Sequence, residues 1–540
     1  MKHQLRLLAL CTASALATGI SNAQNETHKF VASDAGFGEA FGHSVATDGT
    51  YAIVGARNAV ANGVDTGAVY VYDVATGAEL YVIEPADGMS GDKFGFSVAL
   101  ENGIAVIGSP HHDVMGMNMV GSAYVYDLST GMEIGRLIPP TMVMMGHFGI
   151  GVAMDNGKAA VGAFTRNPKG TDSGEAFVFD IATSTMVTNL VATDGAAGDM
   201  LGWTVAIDGN NVLVGADLDD DKGTDSGSAY VFDATTGAQL NKFVPMDAMA
   251  GDRFGWKVAL VGNQAIIGSH KHDSPGKLDT GAVYLFNLVM NMQMGKFESA
   301  SGMANDEFGY SVDFDGVRVA VGAPYDDSAT VNAGATYVFD LATQTQEYKT
   351  TASDAAMSDL FGSSIVVNGD DLVVGSVFDD DVTLNSGSAY MFDLAPPCWS
   401  KYCTVGDGSM MNTATLTPSG CDMSGSLTLM MMNAPANQYT FLLIGSKSGV
   451  VDGALFGAQG DLCVTGGSIG RYTADAGMVS GMGMFMTDIS NSATGGPGFG
   501  IPNSGGASIL AGETWNFQYW HRNPSGMPSG FSEAVSITFK

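Results

Sequence analysis

The chain has 540 residues, of which 45% are hydrophobic and 15% are charged, a balance typical of folded domains. Its 56 acidic residues outnumber its 23 basic residues, and the net charge of −33 argues against binding to the phosphate backbone of nucleic acids. Beyond the N-terminal segment, no apolar run reaches the ~20 residues that a membrane-spanning helix requires. We therefore expect neither a nucleic-acid partner nor a membrane span.

Residues 1–23 have the features of a secretory signal peptide. Lys2 and Arg6 precede an apolar run from Leu7 to Ala17, and small residues end at Ala23. This order of charge, apolar run and small residues is typical of segments that direct export and are then removed. We expect cleavage near Ala23-Gln24 and a secreted or cell-surface protein.

A repeat accounts for residues 24–394. A Phe-Gly pair, once Leu-Gly, recurs at steps of 53 or 54 residues, beginning at Phe41, Phe94, Phe148, Leu201, Phe254, Phe308 and Phe361. Each unit contains four short runs of alternating, β-branched or aromatic residues, which predict four strands. Asp-Gly or Asn-Gly pairs join the first two runs in most units and favour tight hairpins. The pattern predicts an all-β fold, a seven-bladed β-propeller.

The ends of the repeat predict how the ring closes. The seventh unit ends at Leu394 without a fourth strand, whereas residues 28–34 match a fourth strand but precede the first unit. We expect residues 24–36 to complete the last blade, because this pairing would remove an open sheet edge.

The repeat resembles the FG-GAP repeat. Phe-Gly, or once Leu-Gly, begins each unit and Gly-Ala or Gly-Ser follows it, with the fullest match at Val321-Gly322-Ala323-Pro324. The resemblance implies the propeller found in integrin α subunits and in many exported bacterial proteins, but one fold hosts many functions. In integrins the calcium loops lie between Phe-Gly and Gly-Ala-Pro, where this chain has only hairpin turns. Those ligands therefore do not carry over.

An acid-rich loop follows the second strand of unit four. Its alternating acids and glycine have a spacing suited to the oxygen ligands of calcium. The predicted ligands are Asp217, Asp219, Asp221, Gly223 and Asp225, and a partial copy in unit seven supplies Asp379, Asp381 and Asn385. Calcium binding is one interpretation of these loops. A solvated turn in which Asp and Asn side chains bond nearby backbone groups is the other.

Other polar residues recur and predict structural roles. In most units an aspartate lies two residues before Phe-Gly, and another lies seven residues before it. Such repetition favours capping of the turns between blades over catalysis. The histidine-containing stretches 111–113 and 270–273 lack an evident third metal ligand, and we interpret them as solvated loops.

Residues 395–540 differ in composition from the repeat and are rich in Gly, Ser, Thr and Met. The four cysteines that follow the signal peptide all lie here, at Cys398, Cys403, Cys421 and Cys463. An even number of cysteines in an exported chain predicts disulfides, with three pairings open. Alternating runs such as residues 514–522 predict a small β-sandwich.

No nucleophile elbow, phosphate-binding loop or His-Glu-x-x-His motif occurs in the sequence. We therefore favour an exported, non-enzymatic protein for binding or adhesion. Its partner would be an extracellular protein or polysaccharide, bound on the propeller rim formed by the loops between second and third strands, with calcium as a candidate cofactor. Two alternatives stay open: a hydrolase or lyase acting on extracellular polysaccharide, and a structural cell-surface protein.

Overall fold

A computed structural model of the protein describes residues 25–394 apart from Asn62, together with the backbone of ten strands between Trp399 and Thr538. The boundary between its two compact units falls between Leu394 and Ala395, and each unit is described by itself. The predicted signal peptide lies outside the described residues, as do the side chains of the four predicted disulfide cysteines.

The first unit consists of strands joined by turns and loops. In chain order the strands are β1 (Asn25–Phe30), β2 (Phe41–Thr47), β3 (Tyr51–Ala56), β4 (Val60–Ala61), β5 (Val64–Asp65), β6 (Ala68–Asp73), β7 (Glu79–Ile83), β8 (Ser97–Glu101), β9 (Ile104–Ser109), β10 (Ser122–Asp127), β11 (Met132–Leu137), β12 (Val152–Asp155), β13 (Lys158–Ala163), β14 (Glu175–Asp180), β15 (Thr185–Leu190), β16 (Val205–Asp208), β17 (Asn211–Ala216), β18 (Ser228–Asp233), β19 (Gln239–Phe243), β20 (Val258–Val261), β21 (Gln264–Ser269), β22 (Ala282–Asn287), β23 (Met292–Phe297), β24 (Ser311–Phe314), β25 (Arg318–Ala323), β26 (Ala335–Asp340), β27 (Thr345–Thr350), β28 (Phe361–Asn368), β29 (Asp371–Ser376) and β30 (Ser388–Asp393).

Seven four-stranded antiparallel sheets form the blades of the propeller, which confirms the predicted fold. Their strand orders are β2-β3-β6-β7, β8-β9-β10-β11, β12-β13-β14-β15, β16-β17-β18-β19, β20-β21-β22-β23, β24-β25-β26-β27 and, in blade seven, β28-β29-β30-β1. A two-stranded hairpin, β4 and β5, is inserted in the loop between the second and third strands of blade one.

Blade seven is completed by the first strand of the chain. β1 pairs antiparallel with β30, so that Lys29 lies opposite Tyr390 and Phe30 opposite Ala389. Phe30 is buried and stacks against Tyr72 of blade one, with ring centroids 4.5 Å apart. The first strand therefore joins the last blade to the first.

The two halves of the repeat motif meet between blades. The Phe or Leu that begins each unit is buried, and its backbone N–H donates to a loop of the preceding blade, as from Phe254 to the Ser226 carbonyl at 3.0 Å. The glycine of Gly-Ala packs against the carbonyl of the glycine that follows Phe in the next blade. The motif recurs because every interface between neighbouring blades uses the same close backbone contact.

The second unit contributes ten further strands. They are β31 (Trp399–Cys403), β32 (Thr415–Ser419), β33 (Thr428–Met432), β34 (Tyr439–Asp452), β35 (Ala458–Gln459), β36 (Asp461–Met478), β37 (Phe485–Asp488), β38 (Thr514–Arg522), β39 (Ser529–Phe531) and β40 (Ala534–Thr538). One sheet has the order β31-β40-β38-β34-β36, and another has the order β32-β33-β37. The predicted sandwich packing depends on side chains outside the described residues. Among the elements that the structure describes, none is a helix with the length and apolar character needed to span a bilayer.

Candidate functional site

One rim of the propeller carries both the predicted ligand loops and the mouth of the central channel. The first strand of each blade begins where the second strand ends, as the pairing of Phe41 with Ala56 shows in blade one. The loops that follow Gly-Ala therefore surround the channel mouth. The hairpins between first and second strands lie on the opposite rim.

The acid-rich loop of blade four encloses a lysine. Asp219 is buried and accepts hydrogen bonds from the Tyr230 hydroxyl at 2.7 Å and from Lys242 Nζ at 3.0 Å. The same ammonium pairs with Asp221 at 2.6 Å and with Asp194 at 2.9 Å. Burial alone would lower the pKa of Lys242, but its hydrogen bonds to the three carboxylates raise the pKa above its ordinary value. Lys242 is therefore a permanent cation at the centre of these acids.

The remaining predicted ligands in this loop point elsewhere. Asp217 is buried and pairs with Arg253 at 3.2 Å, and burial raises the pKa of Asp217 to about 6. Gly223 and Asp225 have φ angles of 130° and 55°, and the Asp225 backbone N–H donates to Asp220 at 2.9 Å. These two residues shape the turn through their backbone, and their positions follow from the turn geometry.

Blade seven repeats the arrangement with a lysine from the other end of the repeat. Lys29, on β1, pairs with Asp354 at 2.6 Å, with Asp379 at 3.2 Å and with Asp381. Among the described residues, only these three acids form a group of potential metal ligands whose atoms lie within 4.8 Å of one another. Asn385 instead donates its backbone N–H to Asp380 at 2.5 Å.

A calcium ion would need the carboxylate oxygens that these lysines contact. Calcium coordinates six to eight oxygens at roughly 2.3–2.6 Å, whereas the oxygens of Asp219 and Asp379 already accept bonds from an ammonium and from a tyrosine. The residues present do not fit calcium while Lys242 and Lys29 keep these positions. Calcium binding by the two loops stays a prediction.

A lysine that neutralises the acidic loop recurs in three of the blades. In blades four, six and seven an aspartate three residues after Gly-Ala or Gly-Ser bonds a tyrosine of the third strand and a lysine of the fourth. The trios are Asp219, Tyr230 and Lys242; Asp326, Tyr337 and Lys349; and Asp379, Tyr390 and Lys29. Each lysine also lies about 5 Å from the centre of the tyrosine ring, within cation–π range. The loop charge is thus balanced from within the blade.

The histidine stretches are not solvated loops, and that prediction was wrong. His112, His270 and His272 are buried, because the position they occupy after Gly-Ala or Gly-Ser packs beneath the loop. His112 bonds Asp92 at 2.9 Å, and His272 bonds Asp252 at 3.0 Å. His112 and His272 thus occupy the place that aspartate takes in blades four, six and seven.

The aspartates two residues before Phe-Gly hold the turns between blades. Each accepts a hydrogen bond from the backbone N–H three residues earlier, as Asp199 does from Ala196 at 2.6 Å and Asp359 from Ala356 at 2.6 Å. The aspartates seven residues before Phe-Gly bond the tyrosine or the cation of a blade, as Asp34 bonds the Tyr70 hydroxyl at 2.7 Å. These contacts are structural, as the repetition predicted.

Aromatic side chains line one side of the channel mouth. The channel encloses about 530 Å³ and is bounded by the first strands of all seven blades. Five neighbouring rings form what we call the aromatic arc: Phe164, Trp203, Trp256, Tyr310 and Tyr325. All but Phe164 are among the residues that line the channel, and Phe164 packs against Trp203. Successive centroids in this series are 4.9, 5.4, 5.6 and 6.4 Å apart, and all five side chains are half-buried. The arc extends over blades three to six.

One feature of the sequence indicates this arc. Three of its residues occupy the position directly after Phe-Gly or Leu-Gly, a position that differs from unit to unit. In chain order that position holds His43, Phe96, Ile150, Trp203, Trp256, Tyr310 and Ser363. Because this position varies between otherwise regular repeats, the fold does not require a particular residue there.

Lys257 is a departure from the repeat inside the channel. At the equivalent position, blades one, two, six and seven have serines whose hydroxyls donate to the glycine carbonyl of the next blade, as Ser44 does to Gly95 at 2.9 Å. Lys257 lines the channel and has no hydrogen bond or ion pair of its side chain within residues 25–394. Burial lowers its pKa, and no neighbouring group offsets that effect.

Two further groups at the mouth are polar. Arg57 donates from Nη1 to His43 Nε2 at 3.2 Å, and its guanidinium lies 5.5 Å from the centre of the Phe96 ring. Burial, with Arg57 and Lys257 nearby, lowers the pKa of His43 well below its ordinary value, so that the ring is neutral and accepts this bond. The mouth therefore presents cations beside aromatic faces.

Asp313 lies deeper in the channel, where five other blades have alanine. Its carboxylate accepts the Val367 N–H at 2.8 Å, but burial raises the pKa of Asp313 to about 7. Because the folded chain binds the proton of Asp313 more tightly than the unfolded chain does, the contribution of this carboxyl to stability is most favourable below about pH 4 and declines as pH rises to about 7. Asp313→Asn should remove that loss. We expect the variant to be more stable by about 2 kcal/mol at pH 8 and nearly unchanged at pH 4, as measured by urea unfolding.

A comparison with protein families agrees with this geometry. The model of the FG-GAP repeat matches seven segments, at residues 25–72, 79–126, 132–179, 185–232, 238–286, 292–339 and 344–392. Each segment covers the outer strand of one blade and the first three strands of the next. No curated protein matches the chain. Since the seven segments span more than half of the sequence, the chain belongs to the FG-GAP repeat family.

Proposed function

We propose that the protein is an exported binding or adhesion protein whose ligand enters the mouth of the central channel. The observation that carries the proposal is the aromatic arc, in which four half-buried rings from blades four to six line one concave space. Small-molecule and glycan sites are concave, largely aromatic and supplied with a few polar groups. The first strands also line the channel with serine, alanine and valine side chains, which would enclose it without any of these rings.

The experiment compares retention of the protein on extracellular polysaccharides and proteins for the full chain and for Trp203→Ala and Trp256→Ala variants. We expect each variant to lose at least tenfold in affinity, because a central aromatic contact commonly contributes more than 1.4 kcal/mol. Phe37→Ala is the matched control, since Phe37 is 73% exposed and is not among the residues that line the channel. Equal retention of all four proteins would place the ligand outside the channel.

One observation favours a second candidate, a polysaccharide hydrolase or lyase. Catalytic groups occur once rather than in every blade, and Lys257 and Asp313 are such single occurrences in the channel. A lysine with a lowered pKa and an aspartate with a raised pKa are the kind of pair that can transfer protons. Release of new reducing ends from a retained polysaccharide, abolished by Asp313→Asn, would support this candidate over simple binding.

A substitution of Lys242 tests whether calcium can bind the acidic loop of blade four. We expect the melting temperature of the full chain to be the same in EDTA and in about 1 mM calcium, a concentration suited to extracellular calcium modules. Lys242→Met should destabilise the chain by roughly 2 kcal/mol in EDTA, because three carboxylates lose their cation. Calcium should restore part of that loss.

Lys158→Met is the matched control, because Lys158 donates to Asn210 at 3.0 Å, pairs with no carboxylate within 4.0 Å among residues 25–394 and lies on the opposite rim. A calcium-dependent rise in the melting temperature of the unmodified chain, absent from an Asp219→Ala, Asp221→Ala variant, would instead support the calcium ligands predicted from sequence.

A further inference from the structure

We propose that the channel mouth binds a saccharide that carries a carboxylate, with the carboxylate held by Lys257 and Arg57 and the sugar ring stacked on the aromatic arc. This inference rests on the proposed function and names the ligand class for the same site. Charge, the repeat, and the shape of the channel each support it.

In the described part of the propeller, two cations that line the channel have no acidic partner. The chain has 56 acidic residues for 23 basic residues, and most of the described lysines and arginines of the propeller lie within 4.0 Å of a carboxylate. Lys257 and Arg57 have no carboxylate partner within residues 25–394, although both line the channel. A half-buried cation loses solvation, and neither of these two has a carboxylate among those residues that would offset this loss. A bound carboxylate would supply the missing partner.

The repeat shows which side chain the fold uses at the position of Lys257. The serine found at the equivalent place in four blades closes the contact with the next blade through a hydrogen bond. Lys257 cannot make that bond in the same way, and its ammonium adds an unpaired charge. The fold therefore favours serine, and lysine at this position needs another reason.

Arg57 and Lys257 both lie near His43 and lower its pKa, so one anion beside that ring can contact both cations. One donor of Arg57 is used by His43, and its guanidinium carbon lies 5.5 Å from the centre of the Phe96 ring, which leaves other guanidinium N–H groups for a ligand. A planar guanidinium can bond a carboxylate through two parallel N–H groups. His43, held neutral, adds no competing charge.

The aromatic arc favours a saccharide over a peptide carboxylate. The ring of Trp256 is fixed by a hydrogen bond from Nε1 to the Tyr310 carbonyl at 3.0 Å, so that adjacent rigid rings face the channel. Such rings can cover the apolar faces of successive sugars with little loss of side-chain freedom. The volume of about 530 Å³ suits a short chain or a chain end. The net charge of −33 also disfavours a long acidic polymer.

The test is calorimetric titration of the full chain with trimers of galacturonate, glucuronate and mannuronate, with the corresponding neutral trimers, and with a tripeptide that has a free C-terminus. The decisive variant is Lys257→Ser, which installs the side chain that four other blades have at this position. We expect it to weaken binding of an acidic trimer tenfold or more, the usual range for a charged hydrogen bond, without lowering the melting temperature. Lys158→Ser removes the same charge on the other rim and should change nothing.

The outcomes separate the two proposals. In one outcome, acidic and neutral trimers bind with equal affinity, and this binding is lost in Trp256→Ala but kept in Lys257→Ser. That result would support the channel site and contradict the proposal that the ligand is acidic. If the tripeptide bound and none of the trimers did, the proposal that the ligand is a saccharide would be contradicted. Two results would overturn both the inference and the channel site. In one, a trimer binds but neither Lys257→Ser nor Trp256→Ala weakens its binding. In the other, none of the ligands binds.

Discussion

Deleting residues 24–31 should open the ring and cost the propeller roughly 5 kcal/mol or more of unfolding free energy. The deletion removes β1, and with it the pairing to β30 and the burial of Phe30 between the last and first blades. It also removes Lys29, which leaves Asp354 and Asp379 without their cation. Exposure of β30 as an edge strand should promote association between copies. Urea unfolding and light scattering measure the two effects.

The control for this deletion is addition of the missing strand. A synthetic peptide of residues 25–36 should bind the truncated chain by strand addition and recover part of its stability. The same peptide with Phe30→Asp should not, since an aspartate cannot fill the buried site of Phe30. If the truncated chain unfolded at the same urea concentration as the full chain, the closure of the ring by β1 would be contradicted.

Gly215→Ala should destabilise the propeller by more than about 3 kcal/mol. An added Cβ would lie 2.0 Å from the carbonyl oxygen of Gly255 in the next blade, so that the two backbones would have to separate. No side chain can move aside to relieve this overlap. The equivalent glycine of every other blade has the same contact, at 1.9 to 2.3 Å. The motif glycine is thus required by the spacing between blades.

Gly251→Ala is the matched control for that substitution. Gly251 has a φ of +89°, but no atom lies within 4 Å of an added Cβ. Alanine at this position therefore incurs only the cost of a left-handed backbone conformation, about 1 kcal/mol. The difference between the two variants isolates the overlap between blades. Similar midpoints in urea for Gly215→Ala and Gly251→Ala would show that neighbouring blades can separate at little cost.

Much of the fold could be predicted because its determinants are local and repeated. Asp-Gly and Asn-Gly pairs mark the hairpins, alternation marks the strands, and the missing fourth strand after Leu394 points to β1. The burial of His112 and His272 could not be read in the same way. Their loops contain polar residues and resemble solvated turns, and only the packing beneath the loop shows that they replace a buried aspartate.

The charge balance of the acidic loops depends on contacts that sequence spacing hides. Lys242 lies on the fourth strand, 23 residues after Asp219, and Lys29 lies 350 residues before Asp379. Read alone, residues 217–225 have an excess of negative charge that invites a metal ion. In the folded blade the fourth strand brings an ammonium to the same oxygens. Pairing between strands, rather than the loop itself, supplies that cation.

The binding site at the channel mouth is tested most directly by ¹⁹F NMR of the full chain labelled with 5-fluorotryptophan. The five tryptophans give five resonances, which Trp→Phe variants assign, and two of them belong to Trp203 and Trp256. With a saccharide or protein that the labelled chain retains, we predict that these two resonances shift in proportion to occupancy while those of Trp399, Trp515 and Trp520 stay fixed. Shifts confined to the latter three, or no shift at saturating ligand, would contradict a binding site at the channel mouth.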